Sequence, residues 1–422
     1  MNRKTAAHLK LASLLAITVL GPLAGAQTPR VLDADYLDTL RAEVRTNHPS
    51  VAAAMARVQA ADAGVRAVRR WEDPMASFGV MIADDEMRRD DGDLLFGAEQ
   101  ILPRRKLYEA RKARASAERS VFEAETKSAA LTLETTVAQS VIELALMDEM
   151  LAIETNQLIW LESMTANARE RLKDPMGNAS EPLRIESELV QQQQRIDSTI
   201  RQRRRLSRQL NILLGRPPDA SWPVFRLPDA AALTPALADE LSRLYQVNPM
   251  LEGLLNMANA AQLDIEVARR ERSAMFAIGV DSSVYSGGDF RQVTVGAKVT
   301  LPFFNNSVYR ANAERSQRAR VAADREVEAL ERKLRSEAVA AHTEAENSAR
   351  QAATFSREVL PRTEKAAEST QNAWITSKAS ILEVLEARRA LLNARLEERR
   401  FVAGHRAALE TLRSIVPPPS RP

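Results

Sequence analysis

The feature that narrows the fold of this chain most is an internal repeat. Asn47-His48-Pro49 returns as Val247-Asn248-Pro249, and Phe78-Gly79-Val80 returns as Ile278-Gly279-Val280. Gly97-Ala98-Glu99-Gln100-Ile101-Leu102-Pro103 returns as Gly296-Ala297-Lys298-Val299-Thr300-Leu301-Pro302, and Ala179-Ser180 with Glu186 returns as Ala379-Ser380 with Glu386. The offsets are 200, 200, 199 and 200 residues. Matches in register over so long a stretch identify a tandem duplication in which each copy is one structural unit. Each unit reads as a helix, a strand pair, a long helix, a turn and a returning helix. The divisions are an export signal at 1–26, a first repeat at 27–222, a second at 223–416 and a tail at 417–422.

The strand pairs define the environment. In the second unit Phe276, Ile278, Val280 and Val284 fall on one face, against Ala277, Gly279, Asp281 and Ser283 on the other. After the turn Gly287-Gly288-Asp289, Val293, Val295, Ala297, Val299 and Leu301 alternate with Gln292, Thr294, Gly296, Lys298 and Thr300. About ten residues of strict alternation match a membrane β-strand with lipid on one side and water on the other. In the first unit Phe78, Val80 and Ile82 share a face, as do Leu94, Phe96, Ala98 and Leu102; the loop from Asp84 to Asp93 is acidic, as expected of an exposed extracellular loop. An amphipathic hairpin packed on a soluble core would show the same alternation. Pro103 and Pro302, each ending a second strand and opening a long helix, weigh against it.

Those helices are long. Arg104 to Asp174 contains neither proline nor glycine, a reach on the order of 100 Å at 1.5 Å per residue. A stripe of Ala110, Ala113, Ala117, Ser120, Ala124, Leu131, Ala138, Val141 and Ala145 steps by about 3.5 residues, the period of coiled-coil packing. Lys127 and Glu134 interrupt it. The second unit has Ala323, Val327, Leu330, Leu334, Ala341 and Ser348, with Pro361 expected to kink the helix.

The chain is read as exported. Arg3, Lys4 and Lys10 precede an apolar stretch from Leu11 to Leu23 and an Ala24-Gly25-Ala26 cleavage site. The stretch is short for a membrane-spanning helix, which needs about 20 apolar residues; an N-terminal anchor is the other reading. Removing the signal's three basic residues leaves equal numbers of acidic and basic groups, which argues against a nucleic-acid partner. The run Arg201, Arg203, Arg204, Arg205 and Arg208 is accordingly read as a solvated helix face. With no cysteine, stability must come from packing or assembly. His48, His342 and His405 are scattered, and Met75, Met81 and Met87 fall across a strand and a loop, so no metal site is visible. No nucleophile–base constellation or phosphate loop points to an enzyme, and no cofactor is expected.

Four membrane strands cannot close a barrel, for which about eight are needed. An open sheet in lipid leaves backbone groups unpaired at several kcal/mol each. Copies must therefore pool strands. The physical product is a β-barrel continued by a helical tunnel: a mainly α chain with a membrane β-barrel contribution, four strands per protomer.

This architecture resembles the TolC-like outer membrane factor (outer membrane efflux protein) family. The resemblance is carried by the doubled Asn-Pro segments, by the strand ends Gln100-Ile101-Leu102-Pro103 and Val299-Thr300-Leu301-Pro302, and by two helix-turn stretches. The latter are Gly177-Asn178-Ala179-Ser180 with Leu183-Arg184-Ile185-Glu186, and Ser377-Lys378-Ala379-Ser380 with Leu382-Glu383-Val384-Leu385-Glu386. The resemblance spans nearly all of the mature chain. It implies a homotrimer with a twelve-stranded barrel in the bacterial outer membrane and a helical tunnel in the periplasm. It also implies docking onto a periplasmic adaptor (membrane fusion) protein and an inner-membrane proton-driven pump. Leu301-Pro302-Phe303-Phe304-Asn305-Asn306 and Trp71-Glu72-Asp73-Pro74 look most like the heavy-metal (cobalt-zinc-cadmium or copper) resistance branch.

The expected role is thus a passive exit duct for small molecules or metal ions. A type I protein secretion channel and a soluble periplasmic coiled-coil adaptor or scaffold are the alternatives. Glu383 and Glu386 share a helix face, and the resemblance implies a periplasmic gate ring there. Gly177, Asn178, Ser377 and Lys378 would form the adaptor-docking tip, with Ser377 departing from the family's glycine. Glu99 and Lys298 are repeat mates expected in the barrel lumen. Trp71, Tyr285, Phe303 and Phe304 are candidates for an interfacial aromatic belt.

Overall fold

A computed structural model describes residues 29–80, 94–172, 180–229, 236–284, 290–302 and 304–418. The export signal, Ile82, the acidic loop, Gly177, Asn178, Tyr285 and Phe303 lie outside the described residues.

The two units open alike. In the first, β1 (Arg30–Val31) leads to α1 (Ala34–Asn47) and α2 (Pro49–Ala67); in the second, β4 (Phe225–Arg226) leads to α5 (Leu237–Val247) and α6 (Pro249–Glu271). Each helix pair breaks before its proline because the proline ring bars the preceding residue from the helical region. His48 and Asn248 are accordingly extended, with ψ of 126° and 115°. Each then caps the next helix: His48 Nδ1 accepts from the Ser50 N–H at 3.2 Å, and Asn248 Oδ1 from the Leu251 N–H at 3.0 Å.

The hairpins follow, β2 (Met75–Val80) with β3 (Leu94–Ile101) and β5 (Met275–Val284) with β6 (Phe290–Thr300). They join through antiparallel β3–β5 pairing into one sheet of order β2-β3-β5-β6. Helix α3 (Arg105–Arg171) runs 67 residues and returns as α4 (Ser180–Leu213). Its counterpart is α7 (Asn306–Thr354), a π-helical turn at Phe355–Val359 and α8 (Leu360–Ile375), returning as α9 (Ile381–Ile415). Pro361 sits in the first turn of α8. The wide turn ahead of it absorbs the missing N–H, so the expected kink takes the form of a π-bulge.

The helical stripe holds in part, with Ser120, Leu131, Val327 and Leu330 half-buried. Ala110, Ala117, Ala124, Ala138, Val141 and Ala145 are buried, but Ala113 is exposed. Further down, α3 is enclosed on most sides: Val137, Ala138, Val141, Ile142, Leu144 and Ala145 all belong to a core shared with Leu40, Leu210, Phe225 and Leu396. A helix buried all round has no single stripe. The charged interruptions find partners: the Lys127 ammonium lies 2.9 Å from Glu252 on α6, and Arg45 on α1 donates to Glu134 at 2.8 Å.

Candidate functional site

The sheet realises the alternation of its sequence. Register pairs Phe78 with Phe96 and Val80 with Leu94, then Phe96 with Ser282, and Val280 with both Ala98 and Val295. Directly paired residues share a face, so Phe78, Val80, Phe96, Phe276, Ile278, Val280, Val293, Val295 and Val299 form one apolar surface. It is exposed in the protomer, with Phe78 at 78% and Val295 at 77%. Exposed apolar area of this extent marks an interaction with another chain or with lipid. Trp71 (51%) and Phe304 (94%) are exposed beyond the strand ends.

The opposite face carries Ser77, Gly97, Glu99, Gly279, Asp281, Thr294 and Lys298. Glu99 and Lys298 form an ion pair across β5. Gly97 leaves room for two polar groups: a Cβ there would meet the Asp281 carboxylate and the Ser77 hydroxyl, which converge over it, and both would have to turn away. Among the described residues, β2 and β6 each keep one unpaired edge.

The far end of the helices is the second candidate region. α8 ends in a Schellman turn: the Ser377 N–H donates to Trp374 O at 2.9 Å and the Lys378 N–H to Ala373 O at 2.8 Å. Ser377 has φ +57°, the left-handed conformation that normally selects glycine. Its hydroxyl earns the position by accepting a 2.8 Å bond from Arg171 at the end of α3. The same guanidinium donates to Trp374 O at 3.0 Å and lies 4.5 Å above the Trp374 ring. The two hairpin ends are thereby joined over a core of Leu161, Met164, Ile185, Trp374 and Val384.

Glu383 and Glu386 lie on the first two turns of α9, both exposed. Glu383 also completes a capping box. Its Oε2 accepts the Ser380 N–H at 2.8 Å, while its own N–H donates to Ser380 Oγ at 3.3 Å. Ser380-Ile381-Leu382-Glu383 spells that motif, so this role is legible in the sequence. Glu186, the repeat mate of Glu386, accepts from Arg169 at 2.6 Å.

A third cluster at mid-length was missed. Asp148 and Glu149, adjacent on α3, accept the Phe225 and Leu227 N–H groups at 2.9 and 3.0 Å, taking the edge of β4 that β1 leaves free. Arg203 pairs with Asp148, so one member of the arginine run is structural, while Arg201, Arg204, Arg205 and Arg208 are exposed as expected. Burial raises the Glu149 carboxyl above its ordinary range, against Arg399 and the Leu227 N–H, which lower it. No group of three or more metal-ligating side chains occurs among the described residues, and no described helix is long and apolar enough to cross a membrane.

The architecture is mainly α, with a sheet of the kind that membrane β-barrels are assembled from. No family model and no curated protein matches the sequence. Solved structures do match in fold. The outer membrane protein VceC of Vibrio cholerae aligns with TM-score 0.75 over 90% of this chain and 96% of that chain, at 16% identity. CusC aligns with TM-score 0.75 over 92% and 93%, at 17% identity. The CmeC outer membrane channel of Campylobacter jejuni aligns with TM-score 0.72 over 98% and 94%, at 14% identity. The chain therefore has the fold of outer-membrane channel proteins.

Proposed function

We propose that this chain is one protomer of an outer-membrane exit duct of a tripartite efflux pump. It conducts small molecules or metal ions passively from the periplasm to the exterior. The observation that carries the reading is the sheet: one face apolar and exposed, the other carrying the charged and most polar side chains, with one edge each of β2 and β6 unpaired among the described residues. In lipid such edges are costly, and closure with other copies removes them. Three copies supply twelve strands, an allowed barrel size. The helices, on the order of 100 Å long, extend the lumen across the periplasm. Energy comes from a proton-driven inner-membrane pump, reached through a periplasmic adaptor that docks at the helical tip around Gly177, Asn178, Ser377 and Lys378.

Glu383 and Glu386 form the periplasmic gate in this reading. Both carboxylates are exposed on one face of α9 directly after the tip turn, and three copies would bring six together, repelling anions and attracting cations. The heavy-metal branch rests on Trp71-Glu72-Asp73-Pro74 and the Leu301 to Asn306 segment. Loss of tolerance to cobalt, zinc, cadmium or copper, but not to organic drugs, on deleting the gene would support it.

The reading is tested by fractionation and mass measurement of the mature protein. Recovery from outer membranes only with detergent, as a particle of three chains that conducts ions in planar bilayers, is the expected result. A lone, water-soluble particle would refute it in favour of a soluble periplasmic scaffold.

A further inference from the structure

Glu99 and Lys298 occupy matched positions in the two repeats, on β3 and β6, yet carry opposite charge. Within one chain their side chains meet over β5. The crossing runs over Ala277 and Gly279, the register partners of Lys298 and Glu99. Their small side chains leave its path open.

The sheet order makes this pair one segment of a larger figure. In β2-β3-β5-β6 the two charged strands are two places apart. If β6 of one copy pairs with β2 of the next, the following β3 is again two places on. Rotational symmetry sets every Glu99 at one height in the barrel and every Lys298 at one height, and the ion pair ties those heights together. Each Lys298 then has a Glu99 on both sides. One is reached across β5 of its own chain. The other, on the next copy, is reached across that copy's β2, where Met75 is the register partner of Glu99 and Ser77 the next residue on that face, so the lysine passes beside the flexible Met75 side chain. Adjacent strands lie about 4.8 Å apart and residues rise about 3.3 Å along a strand. With the two-residue stagger from Gly279 to Ala277, the span across β5 is about 12 Å at the backbone. The equal spacing around the ring makes the span across β2 similar, both within reach of a lysine and a glutamate together.

We propose that the closed barrel carries a lumenal belt in which Glu99 and Lys298 alternate around the full circumference, and that this balanced belt lets the barrel pass cargo of either sign. In a barrel of three copies the belt has three carboxylates and three ammonium groups and no net charge. Asp281, on the same face beside Gly97, adds one negative charge per copy outside the belt. The belt tunes the barrel for charge-tolerant export and leaves discrimination to other parts of the duct. The inference rests on the shared-barrel reading above.

The test is the reversal potential of the purified oligomer in planar bilayers under a tenfold potassium chloride gradient. It is made in an E383Q/E386Q background so that the tip carboxylates do not set the result. Lys298→Gln is expected to shift the potential toward that of potassium, Glu99→Gln toward that of chloride, and the double variant to return to the background value. Single variants that conduct at the background potential overturn the belt and leave the channel standing. A monomer without conductance overturns the shared barrel itself. Should a single variant not assemble, carbodiimide applied to wild-type oligomers of mixed 14N and 15N copies reads the same contact. The reagent takes up the water lost as Lys298 and Glu99 form an amide. Lys298–Glu99 cross-links joining one heavy and one light peptide support the belt, and cross-links confined to a single label overturn it.

Discussion

Glu383 combines a local structural role with a proposed electrostatic one, and two substitutions separate them. Glutamine keeps an oxygen that can accept the Ser380 N–H, as the capping box allows, but removes the charge. Alanine removes both. In the structure the box consists of a 2.8 Å bond from the Ser380 N–H and a 3.3 Å bond to Ser380 Oγ, both exposed. Its loss therefore belongs at the typical size of capping effects, about 1 kcal/mol. That is roughly a fivefold increase in opening of the first turn of α9, which hydrogen exchange at the Glu383 and Val384 amides would report. Glu383→Gln should leave that exchange within twofold of wild type. On the channel side each variant removes half of the proposed ring, so both should raise single-channel conductance and weaken block by cations. Glu386→Gln should do the same with no change in exchange. If conductance follows exchange, rising for alanine but not for glutamine, the charge ring is refuted and fraying of the turn is the cause. If neither glutamine variant alters conductance, the gate assignment fails altogether.

Three further outcomes follow from the geometry. Removing the buried Asp148 carboxylate by Asp148→Ala strands Arg203 and the Phe225 N–H together; a loss of about 3 kcal/mol is expected in urea unfolding, and a smaller loss for Asp148→Asn. Ser377→Gly should stabilise the tip turn by about 1 kcal/mol when Arg171 is alanine, by relieving the left-handed serine, and by less when Arg171 is present to bond the hydroxyl; exchange of the Lys378 amide reads the cycle, and equal effects in both backgrounds would refute the coupling. Because burial raises the Glu149 carboxyl above its ordinary 4.5, the folded chain holds more protons than the unfolded chain between that value and the raised one, so stability falls as pH rises through this window. Glu149→Gln should flatten that slope, and an unchanged pH profile of the melting temperature would show that Glu149 does not contribute to it.

The glutamate–lysine pair in the sheet illustrates how far the sequence could be read. Alternation gave the face each residue occupies, because side-chain direction in a strand depends on position alone. It gave no partner across β5, since strand order arises only when the two hairpins meet. The tip shows the same division. A serine where glycine was expected looked like a departure from symmetry. The structure keeps the left-handed turn and supplies Arg171, some 200 residues away, to hold the serine hydroxyl. The Asp148-Glu149 pair left no local trace, because a carboxylate that receives strand N–H groups looks in sequence like any charge on a helix.

By itself the sequence determined the duplication, legible from matches about 200 residues apart, and the proline joints at His48 and Asn248, the membrane-like strands and the long uninterrupted helices, which depend on neighbours within a few turns of chain. Only the tertiary structure decided the order β2-β3-β5-β6, the enclosure of mid-α3, the clamp at Ser377 and the ion pair over Gly279. Those contacts join segments far apart in sequence, and periodicity fixes the direction of a side chain without fixing what it will meet.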